Sequence, residues 1–415
     1  MVRKKVFVIG ACLLILGNPR FSYGDDSERI RELEKKVEEL TRTVNELMAR
    51  QETAAPMGEP RPEPYGSGRA PAIPEEMNGE EETSAPKLTL RGFGHVQYDS
   101  RQSDFSDDTS GDTNHFTVGG VDLFITSQIN EKISFLNETT FELEADGVNK
   151  LDVERVLLKY SANDKFNVSI GRGHTAIGYW NQTFHHGKWL QTTTDRPAIY
   201  RWEDEGGILP VHYVGLEFSG TLDMPGGTLS YVSNLANGRG KIADEVKLVE
   251  DNNDSKMAGG MLTYKPAAIE GLGFGVNYLH DTIPARAGTT DRGAEIDENL
   301  SGAHIFYLKD PFEVILEGQL VNHFNHATGF RDETVGAYGQ MAYKMGKYKP
   351  YVRFDWLNIS DRDPFFEGLV EDETSHTLGI RYEVTTFNAL KLEYRHSDKD
   401  NSKSNEATIQ SSFAF

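Results

Sequence analysis

The residues of this 415-residue chain that could do chemistry are charges set two positions apart. Near the C-terminus, Lys349, Arg353 and Asp355 fall on one alternating face, as do Arg381 and Glu383, and then Lys391, Glu393 and Arg395. Upstream, Asp122, Glu138, Glu142, Glu144 and Glu154 form a mainly acidic set, with Arg155 and Lys159 beside it. Between the two sets, residues 175–210 hold Lys188, Arg196, Arg201, Glu203, Asp204 and Glu205 among Tyr179, Trp180, Phe184, Trp189, Tyr200 and Trp202. Fixed charges of both signs on facing walls attract and orient polar solutes; they make and break no bonds. Each charge can equally serve an ion pair inside the fold. Bond-making chemistry has less behind it. His174, His185, His186, His212, His323 and His326 lack a metal-ligand spacing such as His-Glu-x-x-His. The single cysteine, Cys12, lies in the leader, which removes disulfide and thiolate chemistry from the mature chain. The expectation is a protein that is not an enzyme and needs no cofactor or metal.

Charges spaced by two are gathered on one face by β-strands, whose side chains alternate. Sixteen such segments run from 88–100 to 407–415, and the last alternates to the terminal Phe415. Their connections alternate as well. Short turns such as Asn130-Glu131-Lys132, Lys309-Asp310-Pro311 and 344–347 face longer, polar connections such as 101–114, 175–210, 235–255, 281–298 and 359–372. This predicts an all-β fold, a 16-stranded antiparallel transmembrane β-barrel over 87–415, with short periplasmic turns and long external loops. Tyr348, Val352, Phe354 and Trp356 would face lipid, as would Leu390, Leu392 and Tyr394. Tyr160, Phe166, Tyr307, Phe312, Tyr343, Tyr348 and Phe415 would form an aromatic girdle at the short-turn end. A wall so charged is expected to hold water, because unpaired buried charge is costly. A barrel of this size is open unless something narrows it, so the aromatic-rich loop 175–210 is expected to fold inward. A soluble propeller is the alternative, but no blade repeat is evident.

The front of the chain reads differently. Arg3, Lys4 and Lys5, the apolar run Val6 to Gly17, and Ser22 and Gly24 before Asp25 make 1–24 a signal peptide. Ile9-Gly10-Ala11-Cys12 loosely fits a lipobox, the rival reading. Ile30, Leu33, Val37, Leu40, Val44 and Leu47 are spaced as a heptad seam, so 25–52 is expected to be a periplasmic coiled-coil helix. Residues 53–86 carry seven of the 16 prolines and many glutamates, the composition of an extended, disordered linker. A formal net charge of −21 argues against nucleic acid as a partner.

The run Ile170-Gly171-Arg172-Gly173-His174-Thr175-Ala176-Ile177-Gly178-Tyr179-Trp180-Asn181, followed by His185-His186-Gly187 and Gly206-Gly207-Ile208-Leu209-Pro210-Val211-His212, is similar to Gram-negative outer-membrane porins of the phosphate-selective porin O and P family. The resemblance implies a trimeric 16-stranded barrel in outer-membrane lipid, and passive diffusion of ions and small polar solutes. It also implies anion selectivity through an arginine ladder and a lysine cluster. Here the inward bases Lys349, Arg353, Arg381, Lys391 and Arg395 are interleaved with Asp355, Glu383 and Glu393, a departure from such a ladder. Pore-lining or constriction roles are therefore expected of Arg155, Lys159, Lys188, Arg196, Arg201, Glu203, Asp204, Glu205, Arg353, Asp355, Arg381, Lys391, Glu393 and Arg395. The heptad segment adds a second expectation, a structural envelope tether or assembly protein linking the outer membrane to the cell wall through the coiled coil.

Overall fold

The computed structural model describes residues 87–105, 110–143, 149–184, 187–201, 207–243 and 253–415. The expected signal peptide, coiled coil and linker lie outside the described residues, as do Glu144, His185, His186, Trp202, Glu203, Asp204 and Glu205. The strands are β1 Lys87–Phe105, β2 Thr113–Gln128, β3 Ile133–Leu143, β4 Asn149–Asn163, β5 Phe166–His174, β6 His212–Met224, β7 Gly227–Ala236 and β8 Met257–Pro266. They continue as β9 Leu272–Ile283, β10 Ile296–Lys309, β11 Phe312–Asn325, β12 Arg331–Tyr343, β13 Tyr348–Asn358, β14 Glu373–Thr385, β15 Asn388–Lys399 and β16 Ser402–Ala414. Each pairs antiparallel with its sequence neighbours, and β16 pairs with β1 to close the barrel. Closure leaves no unpaired edge, the condition for crossing a bilayer with strands.

Period-two sequence dictates the two faces. On β13, Val352, Phe354 and Trp356 are exposed on the outside, while Tyr351, Arg353 and Asp355 are buried inside. On β15, Leu390, Leu392 and Tyr394 are exposed, and Lys391 and Glu393 are buried. The short-turn rim carries exposed Tyr160, Phe166, Phe312, Tyr343, Tyr348 and Phe415. Several strands run further toward the long-loop side than their apolar pattern reaches: β1 to Phe105 instead of 100, and β16 from Ser402 instead of 407. Ladder pairing such as Arg101↔Glu406 and Phe105↔Ser402 carries on where both faces are polar, so side-chain alternation no longer reports the strand.

The seam is fitted by glycine. A Cβ on Gly94 would lie 2.8 Å from the Phe413 ring, and one on Gly92 would strike the Phe415 ring. The aromatic pair of the last strand thus covers the glycine pair of the first. Gly92 N donates to Phe415 O at 2.8 Å, and Phe415 N returns a bond to Gly92 O at 2.9 Å.

Candidate functional site: a loop clamped inside the barrel

The described part of the connection from β5 to β6 folds into the barrel interior. Its neck is stapled by one short helix, α1 Tyr179–Thr183. Asn181 Nδ2 donates to Thr175 O and Val211 O at 3.0 and 3.1 Å, and Gln182 Nε2 to His174 O and Thr175 O. Below the neck, His174 pairs across the ladder with His212, whose Nε2 lies 2.7 Å from Glu154. The helix begins at Gly178, with φ 59°, where a side chain would collide with Tyr200 and Glu317.

From the neck the loop meets the wall on all sides. Ala176 N donates to Asn234 on β7, Gly178 N to Asn277 on β9 and Trp180 N to Glu317 on β11. Gly187 N donates to Asp122 on β2 at 3.2 Å, and Trp189 stacks on Phe93 of β1 with ring centroids 5.9 Å apart. Thr194 gives both its N–H and its hydroxyl to Glu393 on β15, at 2.9 and 2.6 Å. Ala198 N donates to Asp355 on β13 at 2.9 Å. Tyr179 stacks on Phe306 at 4.2 Å, and Trp180 on Tyr200 at 5.1 Å. Burial, then the neighbouring Glu317 carboxylate, pushes the Tyr200 phenol well above its ordinary range, so it remains a donor to Glu317.

The basic residues of the wall hold this loop by its carbonyls. Arg353 Nη1 donates to Thr193 Oγ1 at 2.9 Å and Asp195 O at 2.7 Å, and its Nη2 to Arg196 O at 3.1 Å. Arg381 Nη1 donates to Trp189 O and Gln191 O, both at 2.6 Å. Lys391 Nζ donates to Lys188 O and Thr193 O at 2.6 and 2.7 Å. Loop carbonyls outside regular structure need donors when buried, and Lys and Arg are donors only.

The expectation of a water-exposed charged wall is therefore met by only part of the set. Arg353, Asp355, Arg381, Lys391 and Glu393 face inward as expected but are buried beneath the loop. Lys391 is 1% exposed and Asp355 0%, because the loop replaces their water. Among the charges that keep some solvent contact are Lys188, Asp195, Arg196, Arg201 and Arg395, together with Lys349, Glu383 and Lys399 at the wall. Asp195 binds Lys188 at 2.5 Å and lies 3.7 Å from Arg395. Arg201 pairs with Glu373, which also has Lys399 at 3.6 Å. Arg155 pairs with Glu138 on the other side of the barrel, and Lys159 sits half-buried on β4 apart from this strip.

Sequence reasoning passed over the acceptors on β11 and the loop's own Asp195. Glu313 and Glu317 alternate with Val314 and Leu316, so their inward direction was readable; that Thr192, Trp180 and Tyr200 would meet them was not. A second inward loop was also not anticipated. Residues 359–372 bury Phe365 and Phe366, and Asp363 lies 2.7 Å from His323 Nδ1. The other ring nitrogen of His323 lies 2.9 Å from Glu298, which Arg239 also binds at 2.8 Å. Among the described residues no group of three or more His, Cys, Asp or Glu side chains is arranged to hold a metal.

No protein-family model matches the chain, and no curated protein matches it. Solved structures do. An anion-selective porin from Comamonas acidovorans superposes with a TM-score of 0.56 at 12% identity, covering 79% of this chain and 100% of that one. The outer membrane channel DcaP of Acinetobacter baumannii gives 0.54 at 12%, covering 82% and 100%. OmpF of Salmonella typhi, in complex with daunomycin, gives 0.53 at 13%, covering 80% and 98%. The fold is thus that of the 16-stranded outer-membrane porins of Gram-negative bacteria.

Proposed function

We propose that the protein is an outer-membrane channel for passive diffusion of ions and small polar solutes, narrowed by the inward loop between β5 and β6. The observation that carries this is the loop's hydrogen bonding to the inner wall on all sides, which leaves Lys188, Asp195, Arg196 and Arg395 partly exposed as the charged lining. A strip with both signs favours weak selectivity over phosphate specificity, since Arg353, Arg381 and Lys391 are engaged by loop carbonyls. By the family resemblance and the neighbours, the working unit would be a trimer. Glu203, Asp204 and Glu205 would add acid to the same constriction. A tether to the cell wall would be a separate role for the heptad segment 25–52. Reconstitution of the purified chain in planar bilayers tests the channel: stepwise conductance is expected, and its absence at any protein concentration sinks the reading. Exchanging 180–205 for a short Gly/Ser segment should raise the single-channel step; an unchanged step would mean the loop is not the constriction.

A further inference from the structure

Among the described residues, the outer wall carries the same three-residue arrangement twice. On β9, Tyr278 and His280 face outward two residues apart; the Tyr278 hydroxyl donates to Asn299 Oδ1 at 2.6 Å, and His280 Nδ1 lies 3.1 Å from that same oxygen. On β15, Tyr394 and His396 do the same to Asn405 Oδ1, at 2.8 and 3.0 Å. In both cases the asparagine stands on the next strand, β10 or β16. In both, the tyrosine is the sixth residue after the first of its strand and the histidine the eighth, counting from Leu272 and from Asn388. A carbonyl oxygen only accepts, so each histidine donates from Nδ1 and presents Nε2 outward.

The level of the two clamps is also the same. Eight residues at about 3.3 Å each, on strands tilted by roughly 40°, put the histidines about 20 Å above the periplasmic turns. That is near the external edge of an apolar band about 25 Å tall. The wall itself marks the boundary. Toward the turns lie exposed Val276, Leu392 and Ile409, and beyond the clamps lie the ion pairs Asp297–His326 and Asp398–Lys403. Each acid thus has a partner side chain of its own, and His376 stands directly opposite His396 in the ladder.

We propose that these two clamps are binding sites for the phosphate-bearing headgroups of outer-leaflet lipid, one on each of two faces of the barrel. The proposal rests on the outer-membrane reading above. Nε2 of each histidine accepts a hydrogen bond from a phosphate hydroxyl. The tyrosine ring lies along the first acyl carbons, and its hydroxyl oxygen, still an acceptor, receives a headgroup hydroxyl. The asparagine holds both side chains in place before lipid arrives, so little ordering is needed on binding.

Native mass spectrometry of the full chain released from detergent tests this, with lipid A and the same lipid stripped of its phosphates as probes. The unchanged protein should retain up to two phosphorylated molecules. His280→Gln or His396→Gln should each lose one, and the double variant should retain at least fivefold less. Tyr278→Phe with Tyr394→Phe, which leaves the rings and the histidine–asparagine contacts but removes the two hydroxyls, should fall between. All four histidine and tyrosine side chains lie on the outer wall, and heat-modifiable electrophoretic mobility reports whether each variant has folded. Equal retention of both probes, or full retention by a folded double variant, overturns the proposal. Conductance measured on the same samples separates the two readings: channels that conduct but hold no lipid defeat the clamps alone, and lipid-bearing barrels that never conduct defeat the channel alone.

Discussion

Lys391→Met removes one positive charge from the barrel interior and keeps most of the side-chain volume. The Lys391 ammonium is fully enclosed and spends its donors on Lys188 O and Thr193 O, with no carboxylate hydrogen-bonded to it. Hydrogen bonds to a charged group contribute about 1.5–3 kcal/mol each in net terms. Against that, the variant recovers the several kcal/mol needed to keep an ammonium out of water. The balance destabilises the seated loop by roughly 2 kcal/mol, about a 30-fold rise in its locally opened fraction. Hydrogen exchange reads this directly. The Thr194 amide, bonded to Glu393, should exchange roughly 30-fold faster, while ladder amides of β9 and β10 keep their rates. Single-channel records should show more current noise with an unchanged mean step. If protection at Thr194 is unaltered or greater, the desolvation cost of the ammonium outweighs its bonds, and Lys391 does not hold the loop.

Gly92→Val should displace the Phe415 ring from the seam and crowd Asp122 O, so a lower yield of heat-modifiable folded protein is expected, and a normal yield would refute the seam's role. His323→Ala strips Asp363 of its imidazole partner and leaves Glu298 with Arg239 alone, a cost of about 3 kcal/mol for breaking a buried charged network. Limited proteolysis of folded protein should then cut within 359–372, and resistance equal to the unchanged chain would contradict it. Asp195→Asn removes the one acid shared by Lys188 and Arg395, so the reversal potential in a KCl gradient should move toward anions, by roughly two- to threefold in permeability ratio for one charge at about 7 Å in water-like surroundings. A shift toward cations would show that another group sets the field.

The barrel was legible in the sequence because lipid and backbone pairing leave one solution. Alternation assigned Tyr351, Arg353 and Asp355 to the inside and Val352, Phe354 and Trp356 to the outside one residue at a time. Even the seam left a trace, since Gly92-Phe93-Gly94 and Phe413-Ala414-Phe415 share the strand period. What the period cannot report is how an inward charge is satisfied. Arg381 has the same pattern whether it meets water, a solute or Trp189 O, and only the path of a loop 190 residues away in sequence decides it. The external clamps escaped for the same reason: Tyr278-x-His280 and Tyr394-x-His396 are unremarkable until a neighbouring strand sets Asn299 or Asn405 beside them.

The distribution of charge inside the barrel follows from the backbone of the loop it encloses. An irregular segment carries both orphan N–H groups and orphan carbonyls, and burial demands a partner for each. The wall answers with two chemistries. Carboxylates of Asp122, Glu317, Asp355 and Glu393 receive the amides of Gly187, Trp180, Ala198 and Thr194. The cations Arg353, Arg381 and Lys391 supply donors to the carbonyls between them. Lumenal charge is thus first a means of seating the constriction, with opposite signs placed by the alternation of N–H and C=O along the loop. On the channel reading proposed above, selectivity would fall to the charges left over at its margin. Counting inward arginines and lysines would then overstate any anion preference, and the current-carrying field should follow the Lys188–Asp195–Arg395 strip.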